Sequence, residues 1–422
     1  MKTYIKRDLY LNKLINRRNS NEVKIITGPR RCGKSWLLEK IYRDYLLADG
    51  VREDHIIIVQ LDIDDEETDA DLRIAQNLKH YLYSKIKDDS QYYVILDEIQ
   101  EVDGFERLVN GLNSKDNIDV YVTGSNSKFL SSDIDTVFRG RGDEIRVYPL
   151  SFREYCEGRE EPLQTLWKEY YTYGGMPALL QYHSSEQKIA YLQRLWRKTY
   201  LDDVVERHKI RNREALESVV DALCSSIGSL TNPTRLSNTL ESVQHVKINR
   251  ETINDYLGYL EDAFLFEGVR RYNIKGRKYF DTIKKYYSVD VGLRNARLNF
   301  RQQELTHIME NIIYNELRVR GYAVDVGVIE ARQIVNGKST YSQLEVDFVA
   351  TNGMDKMYIQ SAFSIPDEEK RKQETAPLDK INDSFQKIVI VGDDIAAYKD
   401  EKGIIYLGLR QFLMNDDIKL DI

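Results

Sequence analysis

The sequence predicts an α/β fold built around a parallel sheet, and two stretches within the first hundred residues support that prediction. Residues 23–27 read VKIIT, a β-branched run typical of a buried strand, and the glycine-containing loop GPRRCGKS follows at 28–35. The next residues, WLLEKIYRDYLL, space their apolar positions as a helix does. Residues 92–98, YYVILDE, form a second apolar run that ends in two carboxylates. This order of strand, loop, helix and acidic strand is typical of P-loop nucleotide-binding folds.

The loop at 28–35 matches the pattern G-x-x-x-x-G-K-[ST], in which each fixed position has a role in binding phosphate. Gly28 and Gly33 let the loop bend so that its backbone N–H groups and the positive end of the helix dipole face the phosphates. Lys34 brings a positive charge to the β- and γ-phosphates, and the Ser35 hydroxyl is expected to ligate Mg²⁺. The predicted ATP-binding residues are Gly28, Pro29, Arg30, Arg31, Cys32, Gly33, Lys34, Ser35, Trp36 and, in a later segment, Pro177.

The two carboxylates at the end of the second apolar run predict hydrolysis as well as binding. Asp97 is expected to hold the Mg²⁺ ion, and Glu98 to orient and deprotonate the attacking water. The nearest string to a guanine-specific loop, NSKD at 113–116, has the wrong order, so ATP is preferred over GTP. The predicted cofactors are therefore ATP and Mg²⁺.

A third strand over 118–123 leads into GSNS at 124–127. Asn126 or Ser125 would sense the γ-phosphate at this strand end, and a simple turn is the alternative.

Two arginines, Arg139 and Arg141, precede the strand EIRVYPL. Either could act as a finger on the nucleotide of a neighbouring subunit, because a guanidinium binds phosphate through two hydrogen bonds and stays protonated. An ion pair within the chain, to Asp143 or Glu144, is the open alternative.

In order along the chain, the motifs resemble those of AAA-type, STAND-related ATPases of bacteria and archaea that carry a C-terminal domain of unknown function. The segments that carry this resemblance are ITGPRRCGKSWLL, VILDEIQ, VTGSNSKFL, FRGRGDEIRVYPLSFREY, YGGMPALL, YFDTIKKYYSVDVGLRNA, HIMENIIYNELRVRGY, LEVDFVA and ETAPLDKINDSFQKIVIV. The resemblance implies three domains: an ATPase core with a helical lid over 1–205, a winged helix over 206–295, and a domain over 296–422 similar to PD-(D/E)xK nucleases. It also implies that Gly175 and Pro177 pack near the adenine, although Gly-Gly-x-Pro would equally stop a helix.

The middle of the chain has the pattern of a winged helix. Residues 226–240 read as helix, turn and helix, and residues 247–269 begin with a further, capped helix. Two strand-like runs around a basic loop follow. The basic side chains of this predicted wing could neutralise phosphates; they are Arg270, Arg271, Lys275, Arg277 and Lys278. A nucleotide-dependent lever that does not touch nucleic acid is the alternative.

The nuclease-like segment carries acidic residues but lacks one expected part. The resemblance places a metal site at Glu310 on a helix, Glu345 and Asp347 on a strand, and Gln360 on the next strand. Ala362 stands where that pattern has its lysine, and Lys356, at the start of the same strand, could substitute only by migration. A degenerate domain used for binding or assembly is therefore preferred over a working nuclease.

Composition limits the remaining classes. The net charge of −7 over 422 residues argues against a protein that coats nucleic acid everywhere, but residues 268–300 contain nine basic and two acidic side chains. No apolar run approaches the ~20 residues of a membrane helix, and three scattered cysteines fit a reducing cytosol. We expect a cytoplasmic protein without membrane contact.

The predicted function is a Mg²⁺-dependent conformational switch that binds and hydrolyses ATP and couples nucleotide state to the C-terminal nuclease-like domain. Its predicted partners are a second copy of the chain through the arginine finger, a protein target, and DNA or RNA at 268–300. The alternatives are an ATP-gated nucleic-acid-binding effector or nuclease, and a protein-interaction scaffold in which the nucleotide is structural.

Overall fold

The structure is a computed structural model that describes residues 5–62, 71–124, 138, 140–244, 246–335 and 338–415. The chain divides into two compact units: Met1–Pro149 with Asp262–Phe264, and Leu150–Glu261 with Leu265–Ile422. Within the described residues, no helix combines the length and apolar character needed to cross a membrane.

The first unit contains a five-stranded parallel sheet with the order β2-β3-β4-β1-β5. Its strands are β1 (Val23–Thr27), β2 (Ile56–Gln60), β3 (Tyr92–Asp97), β4 (Ile118–Thr123) and β5 (Gly142–Arg146). Its helices are α1 (Asp8–Arg17), α2 (Lys34–Trp36), the π-helical Leu37–Tyr42, α3 (Arg43–Ala48), α4 (Ala75–Lys85), α5 (Phe105–Asn113) and the 3₁₀ turns Glu53–His55 and Ile99–Glu101. The parallel sheet predicted from the sequence is confirmed.

Both faces of this sheet are buried, as its uniformly apolar strands require. Val94 and Leu96 of β3 pack in a cluster with residues of α4 and α5, such as Leu78 and Val109. The alternate residues of β3 pack on the other face, in a cluster with α1 and the helix that follows the glycine loop. The nucleotide loop is therefore placed between a fully buried strand and a helix that packs on the sheet.

The second unit contains a mixed nine-stranded sheet with the order β13-β14-β12-β11-β10-β9-β7-β8-β6. Its strands are β6 (Leu230–Thr231), β7 (Phe266–Asn273), β8 (Lys278–Ser288), β9 (Ala323–Val335), β10 (Lys338–Asn352), β11 (Asp355–Ala362), β12 (Gln386–Val391), β13 (Tyr398–Lys399) and β14 (Ile405–Gly408).

Helices precede and cover this sheet. They are α6 (Phe152–Cys156), α7 (Leu163–Tyr173), the 3₁₀ turn Pro177–Gln181, α8 (Ser185–Arg194), the π-helical Leu195–Leu201, α9 (Asp202–Arg207), α10 (Arg213–Ser225), α11 (Pro233–Gln244), α12 (Arg250–Asp262), α13 (Val291–Arg297), α14 (Leu305–Val319), α15 (Glu368–Asp379) and α16 (Leu409–Met414).

The hairpin formed by β7 and β8 joins two parts of this sheet. β8 pairs with the short β6 on one side, and β7 pairs in parallel with β9 through Arg271–Asn273 and Val326–Val328. Residues on both sides of position 295 thus share one continuous sheet. The three domains drawn from the sequence stay a prediction.

Candidate functional site: the nucleotide loop and its carboxylates

The loop after β1 depends on backbone conformations that only glycine adopts easily. Gly28 has a φ of +138° and Gly33 a φ of +100°, both in the left-handed half of φ space. A Cβ added at Gly28 would lie 2.1 Å from the carbonyl oxygen of Val147, so a side chain is also sterically excluded there. The first helical residue is Lys34, directly after Gly33. The loop thus has the shape that the sequence pattern predicts.

The Lys34 side chain is folded back over this loop. Its ammonium donates to the carbonyl oxygens of Gly28 at 3.0 Å and Pro29 at 3.2 Å, and the residue is 4% exposed. A cation held at the rim of a loop whose N–H groups bind anions is suited to the charge of a polyphosphate.

The other predicted loop residues divide into buried and exposed ones. Cys32 is buried, and its thiol lies 3.5 Å from the carbonyl oxygen of Val147, so it anchors the loop. Burial raises the pKa of this thiol, which favours an inert packing role. Arg31 is exposed, Arg30 is half-buried and Trp36 is 49% exposed.

Asp97 ends β3 as a nearly buried carboxylate held by two hydroxyl groups. The Ser35 hydroxyl donates to one carboxylate oxygen at 2.8 Å, and the Thr123 hydroxyl donates to the other. Asp97 is 4% exposed, and this burial raises the pKa of its carboxyl group. The hydrogen bonds from Thr123 and Ser35 and the charge of Lys34 act in the opposite direction. The structure therefore brings Ser35 and Asp97 together, as the prediction of a shared Mg²⁺ requires.

Glu98 follows with a φ of +53°, an uncommon conformation for a non-glycine residue. Its backbone N–H donates to the Thr123 hydroxyl at 2.9 Å, and its carboxylate accepts a hydrogen bond from the Gln100 side-chain amide. Residues in such strained conformations concentrate at functional sites.

Sequence reasoning missed Thr123 and Gln100. Thr123 is the last residue of β4, and its hydroxyl joins Asp97 to the backbone of Glu98. The available signal was its position, because the carboxyl ends of neighbouring parallel strands lie at one edge of a sheet. Gln100 lies only two residues after Glu98, so its proximity could also have been anticipated.

Several predicted residues cannot be placed in this geometry. Asn126, Ser125 and Arg139 lie outside the described residues. Arg141 is exposed, and its carbonyl oxygen accepts from the backbone N–H of Val23 at 2.8 Å. Of the two carboxylates suggested as its partners, Asp143 forms an ion pair with Arg17 at 2.6 Å, and Glu144 accepts a hydrogen bond from the Thr27 hydroxyl. A trans-acting arginine stays a prediction.

The Gly174-Gly175 element lies in the second unit and has a clear local role. Gly174 ends α7 with a φ of +78°, and the Gly175 N–H donates to the Asp290 carboxylate at 2.7 Å. Asp290 also accepts from the Leu293 N–H and so caps α13. Burial raises the pKa of Asp290 to about 6. Pro177 begins the following 3₁₀ turn, and its contact with adenine stays a prediction.

A second group of acidic residues in the same unit surrounds a lysine that was not predicted. The Lys285 ammonium lies 2.9 Å from Glu310, 2.7 Å from Glu345 and 3.9 Å from Asp347, each to a carboxylate oxygen. Lys356, the substitute considered from the sequence, instead lies over aromatic rings, 5.1 Å from the Tyr358 ring centre.

Gln360 is 9% exposed, and its side-chain oxygen has no hydrogen-bond partner among the described residues. No group of three or more His, Cys, Asp or Glu within the described part of the chain has a geometry that would hold a metal ion. The metal site predicted at Glu310, Glu345, Asp347 and Gln360 stays a prediction.

The parallel sheet, the glycine loop and the paired hydroxyls on Asp97 define a P-loop nucleotide-binding protein of the AAA class. In agreement, residues 20–156 match a family described as AAA domain, and residues 164–304 match a domain of unknown function (DUF8612). An uncharacterized protein of Haemophilus influenzae is 34% identical over 397 residues, which cover 93% of this chain and 94% of that protein. This chain belongs to the family of that protein.

Two more distant similarities extend the comparison. An uncharacterized protein of Methanocaldococcus jannaschii is 28% identical over 397 residues, covering 90% of this chain and 83% of that protein. Among solved structures, the Aeropyrum pernix ORC1 protein in complex with DNA aligns with 71% of this chain and 94% of its own, at 11% identity and a TM-score of 0.28.

Proposed function

We propose that the protein binds and hydrolyses ATP with Mg²⁺ and uses the cycle as a conformational switch. The observation that carries this proposal is the buried Asp97 carboxylate that accepts from the Ser35 hydroxyl, beside a glycine loop over which the Lys34 ammonium is folded. The Mg²⁺ ion would supply charge neutralisation for the phosphates. Ser35 and Asp97 fit that ion, because hydroxyl and carboxylate oxygens are the ligands it prefers and a buried carboxylate gains from a cation.

The proposed steps follow from what each side chain can do. The loop N–H groups and Lys34 bind and orient the polyphosphate, and Ser35 and Asp97 hold the metal. Glu98 accepts a proton from the attacking water once its carboxylate points toward the γ-phosphate. The Gln100 amide now donates to that carboxylate, so productive alignment requires the Glu98–Gln100 hydrogen bond to be exchanged for one to water.

The second unit supports the switch part of the proposal. The segment α10, β6, α11, α12, β7 and β8, with β6 antiparallel to β8, has the element order of a winged helix. Asp290 ties the Gly175 segment to α13, and the hairpin continues into the C-terminal sheet through β9. A displacement of the helices around α13 would therefore be passed to the C-terminal strands.

Nucleotide binding and turnover of the full chain test the proposal. Lys34→Ala should abolish measurable ATP binding, and Glu98→Gln should retain binding but slow hydrolysis by roughly 10²–10⁴-fold. Lys40→Ala is the matched control, because Lys40 lies on the same continuous helix with a side chain that is 47% exposed. Unchanged ATP affinity in Lys34→Ala would refute the proposal. Wild-type binding without turnover, alone or with DNA, would favour the scaffold alternative.

A second candidate function, binding of nucleic acid, is favoured by the exposed tip of the β7–β8 hairpin. Lys275, Arg277 and Lys278 are all exposed there. Elsewhere in 268–300 the basic excess is used internally: Lys284 lies 3.3 Å from Glu261, and Arg297 pairs with acidic residues of α10. Of the two remaining predicted wing residues, Arg271 is buried, whereas Arg270 is exposed and lies over the Tyr279 ring, so the exposed cations are those of the hairpin.

The adjacent helix does not extend that surface. The exposed side of α12 carries Glu251 and Asp255, which would repel a phosphate backbone. We expect Lys275→Ala, Arg277→Ala and Lys278→Ala together to abolish any salt-sensitive retention of a DNA or RNA duplex. No retention by the wild type at low salt would remove this candidate.

A further inference from the structure

Lys285 of β8 is a lysine buried among acidic side chains. Its side chain is 5% exposed, and its ammonium contacts carboxylate oxygens of Glu310 on α14 and of Glu345 and Asp347 on β10. Lysines are rarely buried unless they are paired, and here three potential partners converge on one ammonium. The cluster is therefore organised around the lysine.

The contacts connect strands that are not neighbours in the sheet. β8 and β10 are separated by β7 and β9 in the strand order, yet Lys285 and Glu345 are 2.7 Å apart. Beside the cluster, the Tyr287 ring stacks on Tyr314 at 4.4 Å, and both lie near Phe348 of β10. The lysine thus connects the β7–β8 hairpin to β10, next to a group of packed aromatic rings.

Further hydrogen bonds hold the carboxylates in position. The Tyr287 hydroxyl donates to Glu310 at 2.6 Å, to the same oxygen that accepts from Lys285. The backbone N–H of Ser361 donates to Asp347 at 2.8 Å. Glu310 and Asp347 therefore each accept a hydrogen bond from a donor within the protein.

One ammonium lies among three carboxylates, so attraction between opposite charges favours its charged form. Burial alone would lower the pKa of Lys285, but the carboxylates of Glu310, Asp347 and Glu345 outweigh that effect and raise it. Burial and the charge of Glu310 raise the pKa of Asp347, against the effect of Lys285. The ion pairs of 2.9 Å and 2.7 Å that the ammonium forms with Glu310 and Glu345 are the geometric counterpart of this stabilisation.

We propose that the Lys285 ammonium is the resident cation of the Glu310–Glu345–Asp347 cluster and keeps divalent metal ions out of it. A Mg²⁺ ion requires oxygens at about 2.0–2.1 Å, whereas the ammonium occupies hydrogen-bonding distance from oxygens that the metal would need. The C-terminal part of the sheet is accordingly held together by an internal cation, and this inference does not depend on the ATP site.

Binding of Mn²⁺ alone, in the absence of nucleotide, tests this inference. The measurement is made by calorimetry and electron paramagnetic resonance on the full chain carrying Asp97→Asn, so that the candidate ATP site lacks its main carboxylate ligand. We expect no saturable Mn²⁺ binding in this background, and one bound Mn²⁺ with a raised Tm after the further change Lys285→Ala. Lys284→Ala is the matched control, since that neighbouring lysine pairs with Glu261 instead, and it should bind no Mn²⁺.

Two results would overturn the inference. One is Mn²⁺ binding with Lys285 intact that disappears in Asp347→Asn, because the metal would then share the cluster with the ammonium. The other is a folded Lys285→Ala protein that gains no Mn²⁺. If Lys285→Ala folds only when Mn²⁺ is supplied during refolding, the metal has replaced the ammonium as predicted. If this variant folds neither with nor without Mn²⁺, the Mn²⁺ binding measured with Lys285 intact decides.

Discussion

Replacing Thr123 with valine should show how far its hydroxyl supports the buried Asp97 carboxylate. Valine preserves the shape of threonine but removes the donor to Asp97 and the acceptor for the Glu98 N–H. Because Asp97 is only 4% exposed, water cannot readily replace the lost hydrogen bond. The matched control is Thr123→Ser, which keeps the hydroxyl.

The magnitude follows from the charge of the acceptor. A hydrogen bond to a charged group contributes ~1.5–3 kcal/mol, so the free energy of unfolding should fall by about that amount. For a unit of this size, that corresponds to a Tm lower by ~3–12 °C. If this hydrogen bond is stronger in the transition state of hydrolysis than in the ground state by the same amount, turnover should fall by roughly 10- to 150-fold.

The loss should also depend on pH. Removing the donor raises the pKa of Asp97 further above the value of ~3.9 for an unfolded chain. When the pKa of a carboxyl group is higher in the folded than in the unfolded state, the free energy of unfolding falls as the pH rises from the unfolded-state pKa to above the folded-state pKa. The Thr123→Val deficit should be smallest below about pH 4 and reach its full size at neutral pH.

Thermal unfolding at several pH values and steady-state ATP hydrolysis measure these effects. The reasoning is refuted if Thr123→Val matches Thr123→Ser in both Tm and turnover at pH 7. It is also refuted if the Tm deficit is as large at pH 4 as at pH 7, because the loss would then not concern an ionised Asp97.

Two further results are expected. Gly28→Ala should lower ATP affinity at least tenfold, because the added Cβ has no room. The control Gly111→Ala lies on a helix with nothing within 4 Å of the added Cβ, so it should be neutral or stabilise the protein by ~0.5–1 kcal/mol. Equal ATP affinities for the two variants would contradict the assigned loop geometry. Asp290, with a folded-state pKa of about 6, should make the wild type lose ~3 kcal/mol of stability between about pH 4 and pH 6, and urea unfolding of Asp290→Asn across that range should lack this decline. Parallel curves for the two proteins would show that another group titrates.

The nucleotide site was largely predictable because its main residues are local in sequence. Gly28, Lys34 and Ser35 occupy one loop, and Asp97 follows an apolar strand. Thr123 was accessible only through strand order, since β3 and β4 had to be recognised as neighbours. A motif identifies residues within one segment, whereas the hydrogen bonds to Asp97 come from Ser35 and Thr123, in two separate segments.

The C-terminal cluster shows where prediction from the sequence ended. Its acidic members were predicted from the resemblance to nucleases, which places them on a helix and a strand, but Lys285 lies 25 residues before Glu310 on another strand. Nothing local distinguishes Lys285 from Lys284, because one is buried and the other half-exposed only after the hairpin has joined the sheet. Lys356 of β11, the substitute considered from the sequence, packs over aromatic rings instead.

The parallel pairing of β7 with β9 has a practical consequence for dividing the chain. A fragment that began after residue 295 would keep β9 but lose its partner, leaving the backbone groups opposite Arg271–Asn273 as an unprotected sheet edge. Exposed edges of this kind pair with other chains and promote aggregation. A fragment that begins at residue 265 keeps the β7–β8 hairpin, so the edge of β9 remains paired. We therefore expect the solubility of such fragments to depend on these roughly thirty residues rather than on the C-terminal strands themselves.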